Sequence, residues 1–164
     1  LKRNAVLTQL NLAGNQMGAS GVMVIGGALS ATNCVTSLNI SNNGLRSEGA
    51  TVVAKSLLLS YEILTDLDIS SNQINAKGAK EIADAIEQNN TLTRLNIAAN
   101  SIQAEGGQAI GRALGVNQTL RDVDLSENNL DKKGCHGICR GLHENAMRAL
   151  SCLTMNDFTV AADD

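Results

Sequence analysis

Two thiols and two imidazoles fall within a short segment near the C-terminal end of the chain: Cys135, His136, Cys139 and His143. If this segment is helical, Cys135, Cys139 and His143 lie at i, i+4 and i+8 and share one face. Thiolate sulfur and imidazole nitrogen are preferred ligands of Zn²⁺. The cluster is therefore a candidate zinc site, to be weighed against a packing role for the same residues.

Catalytic chemistry has fewer candidates. Paired carboxylates such as Asp66 and Asp68 could act as acid and base in a closed site. The two histidines both lie in the segment just described, and no serine or cysteine motif frames a nucleophile. The glycines do not follow the G-x-x-x-x-G-K spacing of a phosphate loop. The sequence predicts neither an enzyme nor a bound cofactor.

Comparison of the sequence with itself reveals an internal repeat. Five segments align without a gap, LTQLNLAGNQM, VTSLNISNNGL, LTDLDISSNQI, LTRLNIAANSI and LRDVDLSENNL, and they begin at Leu7, Val35, Leu64, Leu92 and Leu120. Their late asparagines are 28, 29, 28 and 28 residues apart, and the one extra residue falls in the linker around 58–62. A fixed period of this length is typical of solenoid proteins.

A second block recurs in step with the first. Its copies, GVMVIGGAL, GATVVAKSL, GAKEIADAI, GGQAIGRAL and GCHGICRGL, begin at Gly21, Gly49, Gly78, Gly106 and Gly134. In the third copy, Ile82, Ala85 and Ile86 follow Gly78 at i+4, i+7 and i+8, which is one helical stripe. The first block instead alternates apolar and polar residues, which indicates a short strand.

Each unit is therefore predicted to form a strand, a tight bend, a helix and a return loop. One unit cannot bury its apolar residues alone, so neighbouring units must stack. Strands stack about 4.8 Å apart, whereas helices need about 8–10 Å between axes. The predicted fold is an α/β solenoid that curves, with a parallel sheet on the concave face and helices on the convex face.

The pattern LxxLxLxxNxL followed by GxxxIxxAL resembles the ribonuclease-inhibitor type of leucine-rich repeat, over residues 1 to about 158. The resemblance implies a curved solenoid that holds a partner protein, so the leading hypothesis is an interaction scaffold or ligand-sensing module within a longer protein. One alternative is a regulator of a small GTPase, by analogy with Ran GTPase-activating protein, although the long acidic tail of that relative is reduced here to Asp163 and Asp164. Another is a self-associating structural module.

The repeat assigns the whole chain, 1–164, to one array. Its predicted parts are the tail of a preceding repeat at 1–6, full repeats at 7–34, 35–63, 64–91, 92–119 and 120–147, and a degenerate closing repeat and tail at 148–164. The unfinished first repeat indicates a fragment, or an end that stacks on another molecule.

Two registers are open for the closing strand. The 28-residue register places Arg148, Ser151, Leu153, Asn156 and Phe158 at the motif positions, and a two-residue slip places Leu150, Leu153, Met155 and Phe158 there. In both, Phe158 is expected to cover the last core layer.

Several repeated residue types have structural explanations. Buried amides can satisfy the backbone of a sharp bend, so a structural role is predicted for Asn15, Asn43, Asn72, Asn100 and Asn128. The repeated glycines are expected to allow close approach of strand and helix.

Cys139 aligns with Gly26, Ala54, Ala83 and Gly111, so it is expected to pack as a small residue against the sheet. The zinc site is kept as the alternative.

Residues between the strand leucines are expected to point out of the concave face. One column of such residues reads Gln9, Ser37, Asp66, Arg94, Asp122, and the next reads Asn11, Asn39, Asp68, Asn96, Asp124. Charge concentrates in the last three repeats. The predicted partner-binding residues are Asp66, Asp68, Arg94, Asn96, Arg121, Asp122, Asp124 and Glu127. These residues would meet a basic partner surface. Reversing the charge of the four aspartates together would then abolish binding. The alternative is that these residues only keep the sheet soluble.

Composition narrows the partner and the compartment. A formal net charge of −3 provides no basic surface for nucleic acid or an anionic membrane. The four cysteines show no disulfide framework spacing, so a cytoplasmic protein is predicted. Glycosylation sequons at Asn39, Asn89 and Asn117 are attributed to chance in a chain rich in Asn, Ser and Thr.

Overall fold

The structure, a computed structural model, describes residues 6–31, 34–145 and 149–156. Within them, short strands alternate with helices along the chain. The strands are β1 (Gln9–Asn11), β2 (Ser37–Asn39), β3 (Asp66–Asp68), β4 (Arg94–Asn96), β5 (Asp122–Asp124) and β6 (Cys152–Thr154). The helices are α1 (Gly18–Leu29), α2 (Arg46–Val53), α3 (Asn75–Gln88), α4 (Gln103–Val116) and α5 (Lys132–Glu144). Almost all of the predicted tail at 1–6 lies outside the described residues.

The strands form one parallel sheet in chain order, from β1 to β6. Gln9 pairs with Ser37, Ser37 with Asp66, and the same column continues through Arg94 and Asp122. The predicted fold and the predicted side-chain columns are therefore confirmed. Because the helices need more room than the strands, the sheet forms the concave side of the solenoid. The limits predicted for each repeat stay a prediction.

The core lies between the sheet and the helices. The central residue of each inner strand, such as Leu67 or Leu95, is at most 2% exposed, and Val53, Ile82 and Ile110 from the helices are fully buried. The apolar stripe predicted on α3 is buried throughout. Each helix therefore completes its core only against its neighbours, as stacking requires.

The closing strand adopts the slipped register. Val123 pairs with Leu153 and Asp122 with Cys152, so the two-residue slip is correct and the 28-residue register is wrong. The physical reason is that the slip directs Leu153, rather than Ser151, into the core layer that Val123 begins. Arg148 and Phe158 lie outside the described residues.

The extra residue of the second repeat is accommodated where a helix ends. After α2 the chain makes a π-helical turn over Ala54–Leu58, in which the Leu59 N–H donates to the Ala54 carbonyl at 3.0 Å. The loop that follows contains Tyr61, whose ring is buried and whose hydroxyl accepts from the Val35 N–H at 3.0 Å. The wider turn and the tyrosine together use the added length without disturbing the strand register.

The repeated glycines contact helices and not strands, so the expectation of strand-to-helix approach is wrong. A Cβ on Gly78 would lie 2.6 Å from the Ile74 side chain and 2.8 Å from Ala50 of the preceding helix. A Cβ on Gly106 would likewise lie too close to the Ile102 side chain and to Ala79 of the preceding helix. Gly78 and Gly106 therefore let α3 and α4 lie close to the preceding helix and to the residue that begins their own first turn.

The bends after β1 to β5 use left-handed backbone. Their second residue has a φ of 52° to 56° at Asn42, Ser71, Ala99 and Glu127, a conformation that is strained for residues with a Cβ. Replacing Ala99 with glycine is therefore expected to raise the free energy of unfolding by about 0.5–1 kcal/mol, as measured by urea denaturation. The matched control is Ala98→Gly at an adjacent position without a positive φ, where glycine should lower stability. A stability loss for both variants would contradict this prediction.

Candidate functional site

The concave face of the sheet carries a shallow trough of about 350 Å³. It crosses the strands from β2 to β6, and its floor includes the buried leucines at the strand centres. Six of the predicted partner-binding residues line it: Asp66, Asp68, Arg94, Asn96, Asp122 and Asp124. The parallel register places these residues on three adjacent strands, so the structure brings them together.

The side chains of the column that contains Asp68 also accept hydrogen bonds from the bends that follow their strands. Asp68 Oδ1 accepts from the Ser70 N–H at 3.0 Å and from the Ser70 hydroxyl at 2.7 Å. Asp124 holds Ser126 in the same way, at 2.9 and 2.6 Å. The column's asparagines accept equivalent bonds from the backbone two residues on: Asn11, Asn39 and Asn96. One oxygen of each side chain is therefore structural, and only the other atom of the amide or carboxylate is left for a partner.

Arg94 lies between the acidic residues of the first column. Its Nε donates to Asp66 Oδ1, and the other Asp66 oxygen accepts from the Thr65 hydroxyl at 2.8 Å. The hydrogen bond and the charge of Asp66 raise the pKa of Arg94 above its ordinary value. The guanidinium side chain is nevertheless 64% exposed, so a charged group faces solvent between two acidic strands.

Two predicted binding residues lie apart from the trough. Arg121 Nη1 donates to the Ala149 carbonyl at 2.7 Å, which ties β5 to the chain entering β6. Glu127 is in the bend, with a φ of 54°. The trough instead includes Ser37, Asn39, Cys152 and Thr154, which were not chosen from the sequence. The slipped register of the closing strand was the signal that could have placed Cys152 and Thr154 there.

The five motif asparagines form a ladder along the bends. Asn72 Nδ2 donates to the carbonyls of Ile40, Ile69 and Ser70 at 3.0, 2.9 and 3.1 Å. Its Oδ1 accepts from the Asn43 N–H at 2.8 Å. Asn43, Asn72, Asn100 and Asn128 are buried, whereas Asn15 at one end of the ladder is exposed. Each of the four buried amides thus joins its own bend to the bend of the preceding repeat, whereas the Asn15 side-chain amide bonds only within its own bend in the described part of the chain.

A second asparagine ladder follows the helices and was missed from the sequence. Asn89, Asn117 and Asn145 are buried, and their Nδ2 atoms donate to the carbonyls of Leu58, Ile86 and Leu114 at 2.6–2.8 Å. Each side chain therefore caps the end of the preceding helix. Two sequon asparagines, Asn89 and Asn117, belong to this ladder. Because both are buried, attaching a glycan to either would require its side chain to leave the core.

The cysteines do not pack as expected. Cys139 is exposed and Cys135 is only partly buried, so the expectation that Cys139 packs against the sheet is wrong. Its counterpart Gly111 faces the next helix, where a Cβ would lie 2.3 Å from the Gly137 carbonyl. Within 34–145 and 149–156, no helix follows α5 to cover the same face.

The zinc alternative gains no support from the geometry. Among the residues that the structure describes, no three His, Cys, Asp or Glu side chains are placed to hold one metal ion. Burial, followed by the charges of Cys139 and Asp131, raises the pKa of the Cys135 thiol. A raised pKa disfavours the thiolate that a zinc ion binds.

Comparison with known proteins decides the family. The Leucine Rich repeat family profile matches residues 3–26, 32–54, 63–83, 88–111 and 116–139, well over half of the chain. The chain belongs to the leucine-rich repeat family. Domains of this family are generally non-catalytic binding modules. No curated protein matches the sequence significantly.

Solved structures show the same fold. The leucine-rich repeat chain resembles leiomodin-1 actin-binding site 2 with a TM-score of 0.71 and 22% identity, over 87% of this chain and 82% of that one. It also resembles LegL7, a leucine-rich repeat-containing protein of Legionella pneumophila, with a TM-score of 0.63 and 24% identity, over 91% of this chain and 47% of that one. At these identities the likeness extends to the fold alone. In the described part of the leucine-rich repeat chain, none of the helices is both long and apolar enough to cross a bilayer.

Proposed function

We propose that this leucine-rich repeat chain is a protein–protein interaction module that holds a partner with a basic surface in its concave trough. The observation that carries the proposal is the continuous trough lined by four aspartates on β3 and β5, with one arginine between them. The solved neighbour named as an actin-binding site supports a role in holding a protein. The GTPase-regulator alternative has no support from a particular residue and stays a hypothesis, as does a cytoplasmic location.

Charge in this trough is expected to act mainly on partner choice and on the association rate. Acidic side chains on a rigid sheet attract a basic surface and disfavour an acidic one. Asp68 and Asp124 are already held by Ser70 and Ser126, so less side-chain freedom is lost on binding. Because the face is open to solvent, its attraction should weaken as salt screens it.

Neutralising the trough is the direct test. The variant carrying Asp66→Asn, Asp68→Asn, Asp122→Asn and Asp124→Asn keeps each side chain's shape and the oxygens that close the bends. We expect it to bind a basic partner about 100-fold more weakly than the wild type. Proteins captured by wild type and variant would be quantified by mass spectrometry. Dissociation constants would then be measured with the purified partner at low and high salt.

The matched control removes four acidic charges elsewhere: Glu48, Glu62, Glu81 and Glu105, each replaced by glutamine. These residues lie on the helices and the return loop, so the control has the same net charge as the trough variant but an unaltered trough. Binding retained by the control and lost by the trough variant supports the proposal. Equal capture by all three proteins would overturn it.

A further inference from the structure

The trough presents its charges in an ordered row across three strands. Asp66, Arg94 and Asp122 occupy one register column, and Asp68, Asn96 and Asp124 occupy the next. Adjacent strands lie about 4.8 Å apart. Acidic groups therefore recur after about 9.6 Å, with an arginine and an amide halfway between them. We call this arrangement the acid–base–acid row.

The row still has groups that a partner could use. The Oδ2 atoms of Asp68 and Asp124 accept no hydrogen bond within the described part of the chain, because Oδ1 takes the bonds from the serines. Asn96 likewise uses Oδ1 for its bend, which leaves its Nδ2 as a donor. The row thus offers an acceptor, a donor and an acceptor in succession, each on an oriented side chain.

We infer, resting on the proposed function, that the occupant of the trough is an α-helix of the partner that lies across the strands. Such a helix would carry Lys or Arg at i and i+7 and Glu or Asp at i+3 or i+4. The two cations would meet Asp68 and Asp124, and the anion would meet the guanidinium of Arg94, whose side chain is 64% exposed although its Nε is paired with Asp66.

The spacing favours a helix over an extended segment. In an α-helix, residues i, i+3 or i+4, and i+7 share one face and lie about 5 and 10.5 Å apart along the axis. In an extended chain, side chains on one face recur every 6.6–6.8 Å or so, and the third is about 13 Å from the first. The helix matches the row to within about 1 Å, while the extended chain overshoots it by more than 3 Å.

An extended segment lying along a strand matches less of the row. It could place cations opposite Asp66 and Asp68, which are two residues apart on β3. It would then engage one acidic strand only and would contact neither Arg94 nor the second acidic pair. A helix across the strands engages all three.

Peptides can test the spacing directly. Two alanine-based peptides of about 20 residues would share one composition with two lysines and one glutamate. The helical isomer places Lys, Glu and Lys at i, i+3 and i+7, and the extended isomer places them at i, i+2 and i+4. We expect the helical isomer to bind the full chain at least about tenfold more tightly at low salt. NMR titration would measure affinity, and circular dichroism would follow the peptide's helicity.

A charge swap tests the middle of the row. With the Arg94→Glu variant, a helical peptide with lysine at i+3 should bind more tightly than the peptide with glutamate there, which reverses the wild-type order. Equal affinity of the two isomers, including no binding by either, or an unchanged order with Arg94→Glu, overturns the helix inference. The proposed function is judged separately by the asparagine variant and its captured partner, so the two can fail independently.

Discussion

Replacing Asn100 with alanine is expected to lower the free energy of unfolding by about 3–5 kcal/mol. Asn100 is fully buried. Its Nδ2 donates to the carbonyls of Ile69, Ile97 and Ala98, each at 3.0 Å. Its Oδ1 accepts from the N–H groups of Asn72 and Ile74 at 2.9 and 3.3 Å. Alanine would leave these backbone groups buried and unsatisfied, and urea denaturation would measure the loss.

Two further variants separate the cause. Asn15→Ala removes the same residue type from the exposed end of the ladder, and it should cost less than about 1 kcal/mol. Asn100→Asp keeps the shape and the acceptor but removes the donor, so it should destabilise as much as alanine does. If Asn100→Ala cost no more than Asn15→Ala, the ladder would not be a source of stability.

Replacing Gly141 with alanine is expected to cost about 3 kcal/mol or more, at the upper end of the range for overpacked cores. A Cβ at this position would lie 1.7 Å from the carbonyl oxygen of Gly111. The obstacle is helix backbone, which cannot rotate away as a side chain can, so α5 would have to move from α4. Thermal and urea unfolding followed by circular dichroism would measure the effect.

The matched control for this substitution is Gly27→Ala. Gly27 lies inside α1 with nothing within 4 Å of the new Cβ, so alanine should raise stability by up to about 1 kcal/mol through helix propensity alone. The two glycine-to-alanine changes are thus predicted to have opposite signs. A gain in stability for Gly141→Ala would show that α4 and α5 do not pack through their glycines.

The sequence predicted which face of each element is apolar, and here it succeeded. An apolar residue, such as Leu67 or Val123, stands at the same place in all five units, so the burial of this position and the strand pairing followed from the period alone. The columns that contain Asp66, Arg94 and Asp122 followed for the same reason. That these columns bind a partner stays a prediction, because a polar outward residue is also what solubility alone would select.

The failures occur where a residue's neighbour belongs to another unit. The contacts of Gly78 and the exposure of Cys139 depend on which helix, if any, packs against that face. The role of Asn117 depends on a carbonyl 31 residues earlier, that of Ile86. The period shows that such residues recur, but it does not show which atoms of the neighbouring helix they contact, and that depends on how the helices pack.

By itself, the sequence determined the solenoid, because a repeated strand-and-helix pattern can bury its apolar residues only by stacking in register. Only the tertiary structure decided how the stack closes. The sequence allowed either Leu153 or Ser151 to pair with Val123, and the packing of the last core layer selects Leu153. The tertiary structure also decided that Asp68 and Asp124 are held in place while Arg94 stays exposed. The pairing of Leu153 with Val123 and that of Arg94 with Asp66 join different units, so they exist only once the units are stacked, whereas Asp68 and Asp124 are held by serines of their own bends.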